Sequence, residues 1–352
     1  MDVYSKTEEC KKRVKATCLE RYGVENYMQS QYRSNVGILK THIHPLVEKG
    51  ASYVDGVFLN NHGVKHIQTV IKRATQLVST PNFNLSSYEI YILLMGIHLH
   101  DVGNLLGRQA HENKIHDIIS AINNTTASLG FEDDVEREEI EKIAGAHGGS
   151  YDALLNLSKE VVILNHHVHS QQIASIIRLA DEISDDYSRS DKVMLQARTL
   201  PPEAIIYHLY SHCLKTAEYV CESNIISYIF RIEEQYLHET FLKKRESKEE
   251  SVYLLDEIYC RTLKTFKEVI FCVKHLRPYI VIDRVRVSID IKLEEKDNLG
   301  HSVVKSIKYD LCDNGYPSVE MEQLCPKIAE LTGSKVAEQL KKKIFEDVRI
   351  GN

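Results

Sequence analysis

The sequence predicts a mostly α-helical chain that ends in a small α+β appendage. Apolar residues recur at three- and four-residue steps through most of the chain as far as about His275, and after Pro278 they alternate instead. At the centre lies the run Ile90 to Asn104, IYILLMGIHLHDVGN, almost unbroken in its apolar character until His100 and Asp101. Such a run reads as a helix buried on most of its perimeter. Imidazole and carboxylate are costly to bury unless they bind something. Adjacent helical residues diverge by about 100°, so this pair needs partners from elsewhere in the chain.

Length and composition set the frame. The 352 residues suffice for one large domain and a smaller one, and 43% apolar with 27% charged residues is ordinary for a globular protein. A formal charge of −6 argues against broad non-specific nucleic-acid binding, though not against a local basic patch. Seventeen histidines is a high count, and many fall between His42 and His169, the first hint of metal chemistry. The eight cysteines are scattered with no CxxC pair, and no secretory leader is apparent, so reduced thiols and a cytoplasmic location are expected. No apolar segment approaches the ~20 residues that span a bilayer, so no membrane association is expected.

Taken in order, residues 1–35 are polar and basic (Lys6, Lys11, Lys12, Arg13, Lys15, Arg21) and read as an N-terminal helical segment, the one place where nucleic acid would bind. Within it, Thr17 to Gln31 resembles a short helical module of phage-encoded endonucleases. Residues 36–200 read as the core. There His66 heads a helix whose apolar face is Ile67, Val70, Ile71, Ala74, Leu77 and Val78. Ser86 and Glu89 form a capping-box signature for the central helix. Further helices run through Ile115 to Ile122, from about Val135 to Ala146 with His147 after it, and from about Ile163 to Asp181. In Asn165 to His169 the histidines read as a polar helix start. Pro201-Pro202 opens residues 201–277, which read as a helical extension of the core interrupted by the charged stretch from Lys243 to Glu250. Residues 278–352 form the α+β subdomain. Its alternating YIVIDRVRVSIDIK shifts phase near Arg284, Val303 to Leu311 would pair with it, and one or two helices would follow Glu320.

Collecting the His and Asp residues at buried edges gives His66, then His100-Asp101, then Asp181, each on a different predicted helix. Imidazoles and carboxylates together make a nitrogen/oxygen site suited to one or two divalent ions: Mn²⁺, Mg²⁺, Fe²⁺ or Zn²⁺. An ion there would lower the pKa of water and neutralise charge on a phosphate. Asp101 is the residue expected to bridge two ions or to accept the proton of the attacking water.

The strings HGVKHI, LHDVGN, RQAHEN, AHGG and RLADEISDDYSR, in that order, resemble the HD-domain metal-dependent phosphohydrolase superfamily over roughly Gly63 to Arg189. The resemblance implies an HD-domain helical bundle with His66, His100, Asp101 and Asp181 as its metal ligands. It also places His111 and His147 where related proteins carry additional histidines, either binding a second ion or acting catalytically on phosphate and leaving group. Lys65, Arg108 and Arg189 flank the motifs and are candidates for phosphate contacts. Asn104 stands where a lysine often follows the HD-x-G pattern.

The implied activity is hydrolysis of a nucleotide phosphate ester or anhydride, foremost a (deoxy)nucleoside triphosphate. The alternatives are a phosphodiesterase or nuclease on cyclic, oligomeric or single-stranded nucleic acid, and a nucleotide sensor without turnover. Two ions would favour diester cleavage; one ion with catalytic histidines would favour the triphosphate. With the continuation RTLPPEAIIYHLY, the chain also resembles bacterial HD proteins of antiviral conflict systems, which implies an ATPase or nucleotidyltransferase partner. A homodimer through the C-terminal strands is a further expectation.

Overall fold

A computed structural model describes residues 26–50, 63–80, 83–107, 109–125, 127–149, 152–245, 248–313 and 320–350. The expectations for the basic segment before Asn26 and for Arg108 lie outside the described residues. The chain is mostly α-helical with a C-terminal α+β part, as its patterning predicts. Its described residues divide into two units: those up to Ser184 together with 272–281, and 185–271 together with those from Ile282 onward.

The first unit is built from helices α1 (Asn26–Ile38), α2 (His44–Gly50), α3 (Val64–Val78), α4 (Ser87–Leu99), α5 (Ile115–Asn123), α6 (Asp134–Gly145) and α7 (Ser170–Glu182). Helix α4 is its axis. Ser86 caps it, accepting from the Glu89 N–H at 3.2 Å while Glu89 accepts from the Ser86 N–H at 2.8 Å, the reciprocal pairing the sequence announces. Every residue from Tyr88 to Leu99 is buried, because α1, α3, α6 and α7 pack around it. Several of its polar groups are satisfied inside. Glu136 of α6 accepts from the Tyr88 and Tyr91 hydroxyls at 2.7 and 3.1 Å, and Glu89 meets His169 Nδ1 at 2.7 Å.

Between α6 and α7 the structure departs from the expected long helix. Val161–Ile163 (β1) and His166–Val168 (β2) form a hairpin paired Ile163 with His166, and α7 starts only at Ser170. Leu164 and Asn165 both have positive φ, 49° and 65°, as a two-residue type I′ connection demands. The β-branched run before that turn favours a strand. The histidines of this stretch therefore belong to a hairpin, and His169 is the residue that starts the helix.

The second unit corrects the reading of residues 201–277 as a helical extension. Lys192–Ala197 (α8) and Pro202–Cys213 (α9) are helical, with Pro202 in the first turn of α9. Then come strands Leu214–Val220 (β3), Ile225–Glu233 (β4), Thr240–Arg245 (β5) and Lys248–Tyr253 (β6), before helix Leu254–Leu276 (α10). In β4, from Tyr228 to Glu233, buried and exposed residues alternate strictly, a period of two hidden among the helical patterns on either side. The charged stretch is the β5–β6 hairpin, where Lys243 faces Glu250 and Lys244 faces Glu249 across the strands.

Strand β7 (Arg284–Lys296) begins where the sequence shows its phase shift, and β8 (Ser302–Cys312) pairs with it antiparallel, Val287 opposite Tyr309. Strand β4 pairs with β7 in parallel, and the sheet order is β3-β4-β7-β8-β9, with β9 at Val348–Ile350. The α+β part therefore begins at Leu214 rather than after Pro278. The region after Glu320 holds two single turns and one helix, α11 (Gly333–Lys341).

Because the capping box supplies two of the orphan amide partners at the head of α4, Ser86→Ala should cost about 1 kcal/mol. A urea titration followed by far-ultraviolet circular dichroism would show it as a lower midpoint with unchanged slope.

Candidate metal centre

Five elements deliver the site. His66 lies in the first turn of α3, His100 and Asp101 follow the last turn of α4, Asp181 is in the last turn of α7, and His111 and His147 sit on turns before α5 and after α6. The structure brings together all six side chains expected of the centre.

They form two clusters that share Asp101. In the first, His66 Nε2 lies 3.3 Å from His100 Nε2, 3.4 Å from Asp101 Oδ2 and 3.2 Å from Asp181 Oδ1. His100 Nε2 is 3.5 Å from Asp101 Oδ2 and 3.7 Å from Asp181 Oδ1. In the second, His111 Nε2 is 3.3 Å from Asp101 Oδ1 and 3.2 Å from His147 Nε2, which is itself 3.9 Å from Asp101 Oδ1. One carboxylate thus turns one oxygen to each cluster.

These separations suit ions. With metal–ligand bonds of about 2.0–2.2 Å, neighbouring donor atoms sit about 3.0 Å apart in an octahedral shell and about 3.4 Å apart in a tetrahedral one. The tautomers agree as well. His100 Nδ1 donates to the Ile97 carbonyl and His147 Nδ1 to the Ala144 carbonyl, both at 2.7 Å, so the neutral form of each presents a bare Nε2 to its cluster. His66 Nδ1 meets Ser184 Oγ at 3.3 Å and His111 Nδ1 meets Glu112 Oε2 at 3.2 Å. Imidazole lone pairs turned toward one another repel unless a cation or proton stands between them.

The local electrostatics show the same demand. Burial alone would lower the His100 pKa, but the carboxylates of Asp101 and then Asp181 outweigh it and raise it to about 9. His147 is held down to about 3, chiefly by burial and then by the His100 charge, so it is neutral at pH 7. Burial would raise Asp181, yet its contacts with His100 and His66 hold it well below the usual carboxylate range. Its place at a helix C-terminus opposes a negative charge, a cost the imidazoles offset. Access is uneven: the His66 and His100 side chains are 1% and 0% exposed, while Asp181 is 30% and His111 14%.

Several neighbours hold the donors in place. Asn104 Nδ2 donates to Asp101 Oδ1 at 2.9 Å, so the asparagine at the position of the usual lysine orients the shared carboxylate. Arg178, one turn before Asp181 and buried, donates to the Gly148 carbonyl at 3.3 Å and fastens the turn that carries His147. Ser184 escapes sequence reading because its role depends only on where α3 passes. Of the proposed phosphate contacts, Lys65 is exposed on α3 beside His66. Arg189 belongs to the second unit, where it pairs with Asp185, as Arg261 does at 3.0 Å.

A metal-free chain carries a proton on His100 below about pH 9, and an ion must displace it. Metal affinity should therefore rise with pH by about tenfold per unit from about 7 to about 9 and then level off. The sign for stability is the reverse in metal-stripped protein. The folded pKa is raised, so its contribution is complete below the unfolded value and is lost as pH rises through about 9. Competition with a calibrated chelator and thermal unfolding of the stripped protein, each at several pH values, check both.

Comparison with curated proteins and with solved structures returned no match. The family model described as HD-CE matches residues 51–259, more than half of the 352 residues, a span that contains all six clustered donors. The chain belongs to the HD-CE family.

Proposed function

We propose that this chain is a metal-dependent phosphohydrolase acting on a nucleotide, with two ions held on either side of Asp101. The observation that carries the reading is the division of that carboxylate between two clusters, Oδ2 facing His66 and His100, Oδ1 facing His111 and His147. When bound, divalent ions here would make water a nucleophile at neutral pH and neutralise charge on a phosphate. The chain's own groups do the rest. Asp101 fixes both clusters in one register, His66 and His100 hold the deep side, and the more accessible Asp181 and His111 mark where a phosphate would enter. Four imidazoles among six donors favour Mn²⁺, Fe²⁺ or Zn²⁺ over Mg²⁺.

Paired sites favour in-line cleavage of a phosphodiester, so a cyclic or short oligomeric nucleotide becomes the first substrate class to test. The formal charge of −6 favours such small substrates over duplex DNA. A (deoxy)nucleoside triphosphate is the second reading, supported by the same small-substrate argument. The resemblance to conflict-system proteins supports a role in antiviral defence beside an ATPase or nucleotidyltransferase. Among the described residues no cysteine is in a disulfide, in keeping with a cytoplasmic setting, and no helix is long and apolar enough to cross a membrane.

Mn²⁺-loaded protein assayed against cyclic nucleotides, short oligonucleotides and nucleoside triphosphates should hydrolyse at least one class. Elemental analysis should find about two equivalents of metal. Asp101→Ala should abolish turnover and lower the metal content below about one equivalent. Binding without turnover across the panel would mark a sensor, and a variant unchanged in both measurements would sink the catalytic reading.

A further inference from the structure

His111 is held differently from the other three imidazoles. His100 and His147 donate Nδ1–H to carbonyls three residues back at the ends of their own helices, and His66 meets a hydroxyl. His111 lies in a three-residue turn, with no helix end behind it, and its Nδ1 faces the Glu112 carboxylate instead.

The space around Glu112 is set by glycines. A Cβ at Gly149, where φ is +70°, would stand 3.0 Å from Glu112 Oε1, and one at Gly148 would stand 3.7 Å from Glu112 Cβ. A Cβ at Gly145 would approach the Glu112 carbonyl to 2.9 Å, and one at Gly103 would strike the His111 carbonyl at 1.9 Å. The His111-Glu112 backbone is therefore clamped between the turn that follows Asp101 and the end of α6 that carries His147. The glycines of HDVG and AHGG act together, letting this short turn come close enough for His111 to reach the second cluster.

We propose that Glu112 is a positioning residue whose carboxylate orients His111 and sets the affinity of the second ion separately from the first. The inference rests on the two-ion reading above. A carboxylate on the far N–H of a ligating imidazole fixes its tautomer and raises its basicity, and removing such a partner typically costs about 10–100-fold in metal affinity. The first cluster draws nothing from Glu112, so its ion should not feel the change.

The test is a calorimetric titration of Mn²⁺ into the metal-stripped full chain, with bound and free Mn²⁺ counted by electron paramagnetic resonance. Wild type should show two steps. Glu112→Ala should leave the first in place and weaken the second about 10–100-fold. Glu112→Gln, whose amide oxygen still accepts from Nδ1–H without the charge, should weaken only the second step, and by less. Equal weakening of both steps, or of neither, overturns the proposal. If the alanine variant does not fold, the glutamine variant decides on the same criteria. A wild-type titration with a single step refutes the two-ion reading and this proposal with it, whereas two wild-type steps unmoved by Glu112→Ala refute the proposal alone.

Discussion

The first unit depends on one electrostatic constraint: imidazole nitrogens and two carboxylates converge on a centre whose inner side water hardly reaches. His66 and His100 are essentially unexposed, and Asp101 is 8% exposed. Unpaired, each of these groups would cost several kcal/mol or would change its protonation. In the metal-free chain His100 takes the second course and keeps a proton, which balances Asp101 and Asp181. That proton occupies the electrostatic role of a cation, and the same arrangement that holds it would hold an ion. The helices around α4 are thus packed about a charge they require.

Helix ends explain how so few residues achieve this geometry. The last carbonyls of a helix lack amide partners within it. His100 and His147 each satisfy one of them with Nδ1–H, reaching back three residues to Ile97 and Ala144. One bond therefore caps the helix, selects the tautomer and aims Nε2 forward, so the helix axis becomes the aiming device for the ligand. Asp101 and Asp181 follow the same logic by position, each at the exit of a helix that points into the centre.

What could be read from the sequence follows from this. His66, His100, Asp101 and Asp181 were legible because each ends or begins an apolar run, and a polar group at such an edge stands out. The central helix was legible down to its cap, since Ser86 and Glu89 lie in the spacing that a capping box requires. Strands β3 and β4 were not, because LKTAEYV and IISYIFRIE are short and lie between true helices, where apolar residues fit either period. The pairing of β4 with β7 is a contact across some sixty residues of chain, Ile225 opposite Arg284, and no local pattern announces it. The roles of Ser184 and Arg178 were hidden for the same reason: a hydroxyl beside His66 and a guanidinium on the Gly148 carbonyl are facts of tertiary packing.

The two clusters also differ in how firmly they are built. The first draws its donors from α3, α4 and α7, whose buried faces form the core, so moving any of them means moving a helix against close-packed neighbours. The second hangs His111 and His147 on turns, secured by Glu112, Arg178 and the close approach of glycines. A turn held by a few polar contacts yields at lower cost than a packed helix. The deep cluster is accordingly the more rigid part of the centre, and the outer one the more readily displaced. Because both share Asp101, the outer cluster can vary only as far as Oδ1 can turn without dragging Oδ2 from the inner one, and the 2.9 Å hydrogen bond from Asn104 limits that rotation.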